Sequence, residues 1–150
     1  MNKVIDISKL NKLRNQLKKK NLKIVLCHGV FDLVHMGHLE YFKSSKKNGD
    51  VLIVSVTKGK FVNKGPNRPY NDDQDRVKFL SSLEMVDYIV LNSAPTAVNI
   101  IKLLKPNIYS KGPDYKNINK DVTGEIKNEI KAIKEVGGKI IFTNDRTFSS

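Results

Sequence analysis

All three histidines of the chain, His28, His35 and His38, lie close together in the sequence. Two of them belong to the tetrapeptide His35-Met36-Gly37-His38, which opens a predicted helix just after a short apolar run. The N-terminus of a helix attracts anions, and Gly37 lets a phosphate group approach the backbone closely. Imidazole N–H groups placed there can donate hydrogen bonds to phosphate oxygens. The spacing indicates a phosphate-binding site; the alternative is two loop histidines that make only local hydrogen bonds.

Other kinds of histidine and cysteine chemistry are less well supported. The tetrapeptide contains no carboxylate, and Cys27 is the only cysteine in the chain. These residues do not match a cysteine-based zinc site or an intramolecular disulfide framework, so we expect no metal ligands from the protein. Cys27 falls inside a predicted buried strand, where a core role is expected. A single cysteine also fits a reducing cytoplasm, which is the predicted location.

Strands and helices alternate along the chain around the histidine motif. Apolar runs predict buried strands over 23–27, 51–56, 86–91, 107–110 and 139–143, and helical spacing or capping signals predict helices that begin near 7, 37, 71, 95 and 123. Such alternation implies right-handed crossovers and a parallel sheet that is covered on both faces. We expect an α/β fold with a doubly wound, five-stranded, Rossmann-like parallel sheet of strand order 3-2-1-4-5. Ligands in such folds bind at the carboxyl ends of the strands.

The length of 150 residues and the apolar fraction of 39% fit a single domain over residues 1–150. No apolar run approaches the roughly 18 residues that span a bilayer, and residues 1–6 lack the apolar stretch of a signal peptide. The sequence stops directly after the fifth predicted strand, where an α/β sheet usually places another helix. We therefore expect an excised domain, or a chain truncated before a final helix.

The formal net charge of +12 suggests an anionic partner, such as nucleic acid, a membrane surface or a phosphorylated small molecule. However, 23 lysines and 15 asparagines are spread over the chain, which indicates a compositional bias rather than a basic patch. Arginine is more informative because it binds phosphate bidentately. Three of the four arginines, Arg68, Arg76 and Arg146, fall in loops or helix starts around the histidine motif, and only Arg14 lies elsewhere.

The residues around the histidine pair carry a family resemblance. Residues 29–38 read Gly-Val-Phe-Asp-Leu-Val-His-Met-Gly-His, which closely resembles the Gly-x-Phe-Asp-x-x-His-x-Gly-His signature of the nucleotidylyltransferase superfamily, the cytidylyltransferase-like group. The likeness extends over about residues 23–150. It is closest to heptose-1-phosphate adenylyltransferase and glycerol-3-phosphate cytidylyltransferase domains, and it is carried by the segments 64–69, 73–76, 83–90, 111–115, 136–140 and 148–150.

The resemblance implies transfer of AMP or CMP from ATP or CTP to a sugar- or polyol-phosphate, with release of pyrophosphate and formation of an NDP-activated product. It implies that four residues act in catalysis by holding phosphate groups: His35, His38, Lys64 and Arg146. Nucleotide binding would fall to Gly29, Val30, Phe31, Asp32, Gly37, Lys111, Gly112, Asp114, Thr147, Ser149 and Ser150. Substrate binding would fall to Asp32, Arg68 and Arg76, with a local loop-capping role as the alternative for Asp32.

The implied chemistry needs no protein base, because a phosphate monoester is largely a dianion at neutral pH and is already nucleophilic. Catalysis then consists of positioning and charge neutralisation. Mg²⁺ is the implied cofactor, held mainly by the nucleotide phosphates and water. Similar enzymes are often dimers, so a homodimer is the assembly that the resemblance suggests.

The sequence departs from the family pattern in three ways. Pro113 stands where a glycine is usual, and residues 116–121 lengthen the same loop. Glycerol-3-phosphate cytidylyltransferases carry an arginine at the place of Asn144, two positions before Arg146, and this difference leaves the choice between ATP and CTP open. The heptose-like segments favour ATP. The alternative function is a non-catalytic module that binds nucleotide or nucleic acid. We do not expect nucleic acid, because the chain has no recognisable motif for it; such binding would weaken steeply with salt.

Overall fold

The computed structural model describes residues 2–62, 68–113 and 125–144. These residues form five strands: β1 (Ile24–Gly29), β2 (Val51–Thr57), β3 (Tyr88–Asn92), β4 (Ile108–Lys111) and β5 (Lys139–Phe142). They also form five helices: α1 (Leu10–Lys19), α2 (Met36–Lys46), α3 (Asp73–Ser81), α4 (Val98–Leu104) and α5 (Glu125–Glu135). Short 3₁₀ turns lie at Ile7–Lys9 and Gly59–Phe61.

The five strands form one sheet in the order β3-β2-β1-β4-β5, and all four pairings are parallel. The predicted α/β class and strand order are confirmed. The order reverses beside β1, whose neighbours are β2 and β4. Ligands of open parallel sheets bind at the carboxyl ends of the strands next to such a reversal. We therefore expect a ligand-binding site at the carboxyl ends of β1 and β4.

The core lies on both faces of the sheet. Successive side chains of a strand point to opposite faces, and Leu26 and Cys27 accordingly belong to different buried clusters. The cluster of Leu26 includes side chains of α1, α4 and α5, and that of Cys27 includes side chains of α2 and α3. All seven residues of β2 are buried. This two-sided burial explains why the strands read as continuous apolar runs.

Several element starts differ from the prediction, among them those of β3 and α4. The third strand begins at Tyr88 rather than at Val86, because Asp87 turns its carboxylate to the amide of Leu52 at 2.8 Å. Helix α4 begins at Val98 rather than near residue 95. The carbonyl of Thr96 accepts a hydrogen bond from the side-chain amide of Asn92 at 2.7 Å. Polar side chains that bind the backbone delay both elements.

The N-terminal segment covers the outer edge of the sheet. The amide of Ile5 donates to the carbonyl of Ile89 at 2.8 Å, and the amide of Ile89 donates to the carbonyl of Lys3 at 2.9 Å. These bonds occupy backbone groups that an edge strand would otherwise expose. Among the described residues, none of the helices is long and apolar enough to cross a membrane.

Candidate active site

The histidine pair forms the N-terminus of α2, directly after the loop that leaves β1. His35 is the N-cap residue, and its Nδ1 accepts a hydrogen bond from the amide of Gly37 at 3.2 Å. The Nδ1 of His38 in turn accepts from the amide of His35 at 3.2 Å. The two side chains thus make a reciprocal capping box, which satisfies amides that a helix start leaves unpaired. The predicted helix start at these residues is confirmed.

This arrangement assigns the tautomer of both rings. A ring nitrogen that accepts a hydrogen bond carries no proton, so the proton of each neutral imidazole lies on Nε2. Both Nε2 atoms are therefore hydrogen-bond donors. The ring centroids are 4.2 Å apart. Two neighbouring N–H donors at the positive end of a helix dipole form an arrangement suited to an anionic group such as phosphate.

The ring of Phe31 packs against the ring of His38. The φ of 51° at Phe31 lies in the left-handed region that non-glycine residues rarely adopt. Its ring meets the rings of His38 and Phe42 edge to face, with centroids 5.9 and 5.1 Å away. A Cβ atom on Gly29 would lie only 2.8 Å from Cζ of Phe31. The glycine of the motif thus leaves room for the aromatic ring that packs against the histidine.

Asp32 ties the histidine loop to the segment before α3. Its two carboxylate oxygens accept hydrogen bonds from the amides of Tyr70 at 2.6 Å and Asn71 at 2.8 Å. Desolvation opposes ionisation of Asp32, but the hydrogen bonds from Asn71 and Tyr70 outweigh it and lower the pKa of the carboxyl below its ordinary value. Asp32 therefore makes the loop-capping contacts; its predicted contacts to substrate and nucleotide stay predictions.

Arg76 is almost fully buried, at 2% exposure. Its guanidinium donates to the carbonyls of Val30 at 2.9 Å and Thr57 at 2.7 Å, and it pairs with Asp73 at 2.6 Å. It thus joins the ends of β1 and β2 to the start of α3, which Asp72 caps. The guanidinium thus makes three hydrogen bonds within the protein. Its predicted contact with substrate stays a prediction.

A cavity of about 360 Å³ opens between the histidine loop and α3. Its lining combines the polar side chains of Asp32, Asn71, Asp75 and Arg76 with apolar ones such as Phe31 and Phe79. Two of the three predicted substrate residues, Asp32 and Arg76, thus meet at one cavity. The third, Arg68, does not line it; its guanidinium stacks over the ring of Tyr70, 4.3 Å from the centroid.

A second polar group lies where β4 ends, on the other side of the strand reversal. Lys111 is buried, at 7% exposure, and its Nζ lies 3.3 Å from the hydroxyl of Tyr109 and 3.8 Å from Oε1 of Glu129. Gly112 follows it, and a Cβ there would meet nothing within 4 Å.

His28, the last residue but one of β1, lies beside this group, and its Nδ1 is 2.6 Å from the hydroxyl of Ser55. Burial, and after it the charge of Lys111, lowers the pKa of His28 to about 3. Burial raises the pKa of the Cys27 thiol, one residue earlier, to about 11. Cys27, which is fully buried, is a core residue, as predicted, and the partly buried His28 is neutral near pH 7.

The structure brings most of the described site residues to the carboxyl edge of the sheet. Gly29 is the last residue of β1, Val30, Phe31 and Asp32 follow it in the loop, and Gly37 is buried in the first turn of α2. Six predicted site residues lie outside the described residues: Lys64, Asp114, Arg146, Thr147, Ser149 and Ser150. Within residues 2–62, 68–113 and 125–144, no group of three or more histidine, cysteine or acidic side chains is placed to hold a metal ion.

Sequence reasoning missed Glu129, a buried residue of α5. The spacing of Ile126, Ile130 and Ile133 in the sequence indicates an apolar stripe, but the structure buries Glu129 and leaves Ile130 partly exposed. A signal was present, because Glu129 stands three residues after Ile126 and four before Ile133, on the same helix face. A carboxylate inside an apolar stripe indicates a buried group with polar partners.

Comparisons with known proteins identify relatives of this arrangement. The family model described as cytidylyltransferase-like matches residues 26–150. The "Bifunctional protein HldE" of Aliarcobacter butzleri is 41% identical over 133 residues, and that of Nitratiruptor sp. is 41% identical over 137 residues. These matches cover 87% and 89% of this chain but only 28% and 29% of those proteins.

Two solved structures share the fold. The lipopolysaccharide core biosynthesis protein from Thermoplasma volcanium is 28% identical, with a TM-score of 0.69 over 84% of this chain and 99% of that one. The pantoate-beta-alanine ligase from Francisella tularensis, solved with a nucleotide and beta-alanine, is 21% identical, with a TM-score of 0.64 over 95% of this chain and 67% of that one. At that identity the second likeness concerns the fold alone.

Proposed function

The chain belongs to the cytidylyltransferase-like family of nucleotidyltransferases, and from that premise we propose that it transfers AMP from ATP to a sugar phosphate and releases pyrophosphate. The observation that carries the proposal is the capping box of His35 and His38, which makes both Nε2 atoms donors at the start of α2. Pyrophosphate leaves as a polyanion, and fixed donors at its position stabilise the charge that develops there.

In the proposed reaction, an oxygen of the acceptor phosphate attacks the α-phosphorus of the nucleotide. The new P–O bond forms as the bond between the α-phosphorus and the bridging oxygen breaks, and the electron pair leaves with pyrophosphate. The acceptor phosphate is a dianion at neutral pH, so no proton has to be removed from it. The histidines act as hydrogen-bond donors through Nε2, and the enzyme contributes positioning and charge stabilisation.

Mg²⁺ fits this site as a nucleotide-bound ion, and when bound it would neutralise charge on the phosphates. Among the described residues no cluster of three possible ligands exists, and both oxygens of Asp32 already accept amide hydrogen bonds. Mg²⁺ commonly keeps several waters and binds through substrate phosphates with few protein ligands. We therefore assign no residue of this chain to the metal.

The cavity lined by Asp32, Asn71, Asp75 and Arg76 suits the acceptor. The carboxylates of Asp32 and Asp75 disfavour binding of a phosphate group inside the cavity. Carboxylate and amide groups form hydrogen bonds with the hydroxyl groups of a sugar. Residues 31–34 of the histidine loop line the cavity, so a polyhydroxylated ring bound there would lie next to that loop. The resemblance to heptose-1-phosphate adenylyltransferase domains and the 41% identity to bifunctional HldE proteins favour a heptose 1-phosphate as acceptor and ATP over CTP.

The remaining roles rest on the family resemblance. Lys64 and Arg146 would close over the phosphates, and Lys111 and Asp114 would contact the nucleotide. The proposed homodimer and cytoplasmic location have the same basis.

A matrix of nucleotides and acceptors tests the proposal. Pyrophosphate release is measured with ATP, CTP, GTP and UTP, each against heptose 1-phosphate, glycerol 3-phosphate and no acceptor, in the presence of Mg²⁺. We expect release that needs both ATP and heptose 1-phosphate. Release with CTP and glycerol 3-phosphate would keep the reaction class and change the substrates. Folded protein that releases no pyrophosphate in any combination would overturn the proposal.

A further inference from the structure

We propose that Glu129 is a positioning residue that, together with Tyr109, holds the ammonium group of Lys111 at the strand reversal, where it meets an anionic nucleotide. The inference rests on the proposed function only in the identity of the ligand, a nucleoside triphosphate. It assigns a role in the site to a helix residue that no motif of the chain singles out.

The first step is the place of Lys111. It is the last residue of β4, and β4 pairs with β1 on the side of the sheet where the strand order reverses. After burial, its charge is the second cause that lowers the pKa of His28, the last residue but one of β1. The ammonium group therefore lies near the ends of both strands that flank the reversal. This is the crevice in which parallel α/β sheets bind their ligands.

The second step is the carboxylate of Glu129, which is fixed from two sides. Its Oε2 accepts a hydrogen bond from the amide of Ala97 at 3.0 Å, and its Oε1 accepts from the hydroxyl of Tyr109 at 2.8 Å. The residue is only 5% exposed. Ala97 is the N-cap residue of α4, so the carboxylate connects three elements: α5, the start of α4 and β4. Its position cannot change without disturbing all three.

The third step is the contact between this carboxylate and Lys111. The Nζ atom lies 3.3 Å from the hydroxyl of Tyr109 and 3.8 Å from Oε1 of Glu129, and both charged side chains are less than 10% exposed. Tyr109 thus stands between the two charges as a shared partner. A buried cation needs such compensation, because desolvation otherwise favours its neutral form.

The energetics of buried ion pairs argue against a role in stability alone. Taking two charges out of water costs about as much as their attraction returns, and an apolar pair of similar volume usually serves the fold as well or better. A buried lysine and glutamate at a ligand-binding edge are better explained by the ligand. Glu129 keeps the positive charge of Lys111 at the position where the nucleotide phosphates would bind.

A double-mutant cycle in the whole chain separates positioning from a purely structural role. The dissociation constant for ATP with Mg²⁺ is measured by calorimetric titration for the wild type, Glu129→Gln, Lys111→Met and the double variant. Glu135→Gln is the matched control, because this exposed glutamate lies on the same helix and loses the same charge.

We expect Lys111→Met and Glu129→Gln each to weaken ATP binding by about tenfold or more, the scale of one hydrogen bond to a charged group. The double variant should bind no more weakly than Lys111→Met, and Glu135→Gln should bind as the wild type does. If Glu129→Gln weakens binding by the same factor with and without Lys111, or if Lys111→Met leaves the affinity unchanged, the inference is wrong.

Tyr109→Phe is the second variant in case Glu129→Gln does not fold. It removes only the shared hydroxyl, and we expect weaker ATP binding that again disappears in the Lys111→Met background. Unchanged binding would contradict the inference. The pyrophosphate assay separates the two proposals: coupling without pyrophosphate release would overturn the proposed activity and keep the positioning role, and release without coupling would do the reverse.

Discussion

His35 and His38 together cap the N-terminus of α2: the backbone amide of His35 donates to Nδ1 of His38 at 3.2 Å, and the amide of Gly37 donates to Nδ1 of His35 at 3.2 Å. The groups proposed to stabilise the leaving pyrophosphate are therefore also the groups that start α2. Stability and activity are linked at this point, and a variant chosen without regard to the cap would confuse them.

His35→Asn and His35→Ala together separate the two roles. Asparagine is a good N-cap residue and alanine a poor one, so only the alanine variant should lose about 1 kcal/mol of unfolding free energy. Both variants lack the Nε2 donor, and in both we expect kcat to fall by about 10²–10³. Urea unfolding and pyrophosphate release measure the two effects. A folded asparagine variant with wild-type kcat would show that His35 does not hold phosphate.

Gly29→Ala tests whether the packing of Phe31 positions His38. The new Cβ atom would lie 2.8 Å from Cζ of Phe31, so the ring must shift and the unfolding free energy should fall by about 1–3 kcal/mol. Because the ring packs against His38, we also expect a lower kcat. Gly29→Ala combined with Phe31→Leu should recover part of the stability, since leucine lacks the outer ring atoms. Equal thermal stability of Gly29→Ala and the wild type would refute this account.

The fold could be predicted from the sequence because its signals are local and repeated. Each strand is an apolar run buried on two faces, as in β2, and each helix has a capping signal or an apolar stripe. The histidine pair was predictable for the same reason, since its ten-residue motif is contiguous. The start of β3 was misplaced because the role of Asp87 depends on Leu52, which lies far away in the chain.

The rest of the site depends on contacts between distant residues. Arg76 reads as a candidate phosphate ligand in a helix start, but its carbonyl partners are Val30, directly after β1, and Thr57, the last residue of β2. Glu129 lies within the apolar stripe of α5, but its partners Ala97 and Tyr109 belong to other elements. The spacing of residues shows which face of a helix a side chain occupies. It does not show which polar group of another element will be its hydrogen-bond partner.

Arg76→Lys tests the structural role of this buried guanidinium. Lysine keeps the charge but has one nitrogen, which cannot reach both strand carbonyls and Asp73 together. We expect a loss of about 3 kcal/mol of unfolding free energy, the scale of one or two hydrogen bonds from a charged donor. Urea unfolding measures the loss. A change below about 1 kcal/mol, with a raised KM for the acceptor, would instead favour the predicted role of Arg76 in substrate binding.

His28 should make the stability depend on pH. Its pKa is about 3 in the folded protein and about 6.5 when unfolded, so between these values only the unfolded chain binds the proton. Stability is then complete above pH 6.5 and falls as the pH drops, by up to about 1.4 kcal/mol per pH unit. Between pH 7.5 and 5.0 the wild type should lose about 2 kcal/mol more than His28→Gln. Parallel pH profiles of the two proteins in urea unfolding would contradict this.

The most direct test of the proposed nucleotidyl transfer follows the phosphorus atoms of ATP. The protein is incubated with Mg²⁺, heptose 1-phosphate and ATP that carries its label in either the α- or the γ-phosphate. Attack at the α-phosphorus predicts that the α-label moves into a nucleotide sugar and the γ-label into pyrophosphate, in equal amounts. A γ-label found in the sugar, or an α-label that stays in ADP, would show phosphoryl transfer and contradict the account.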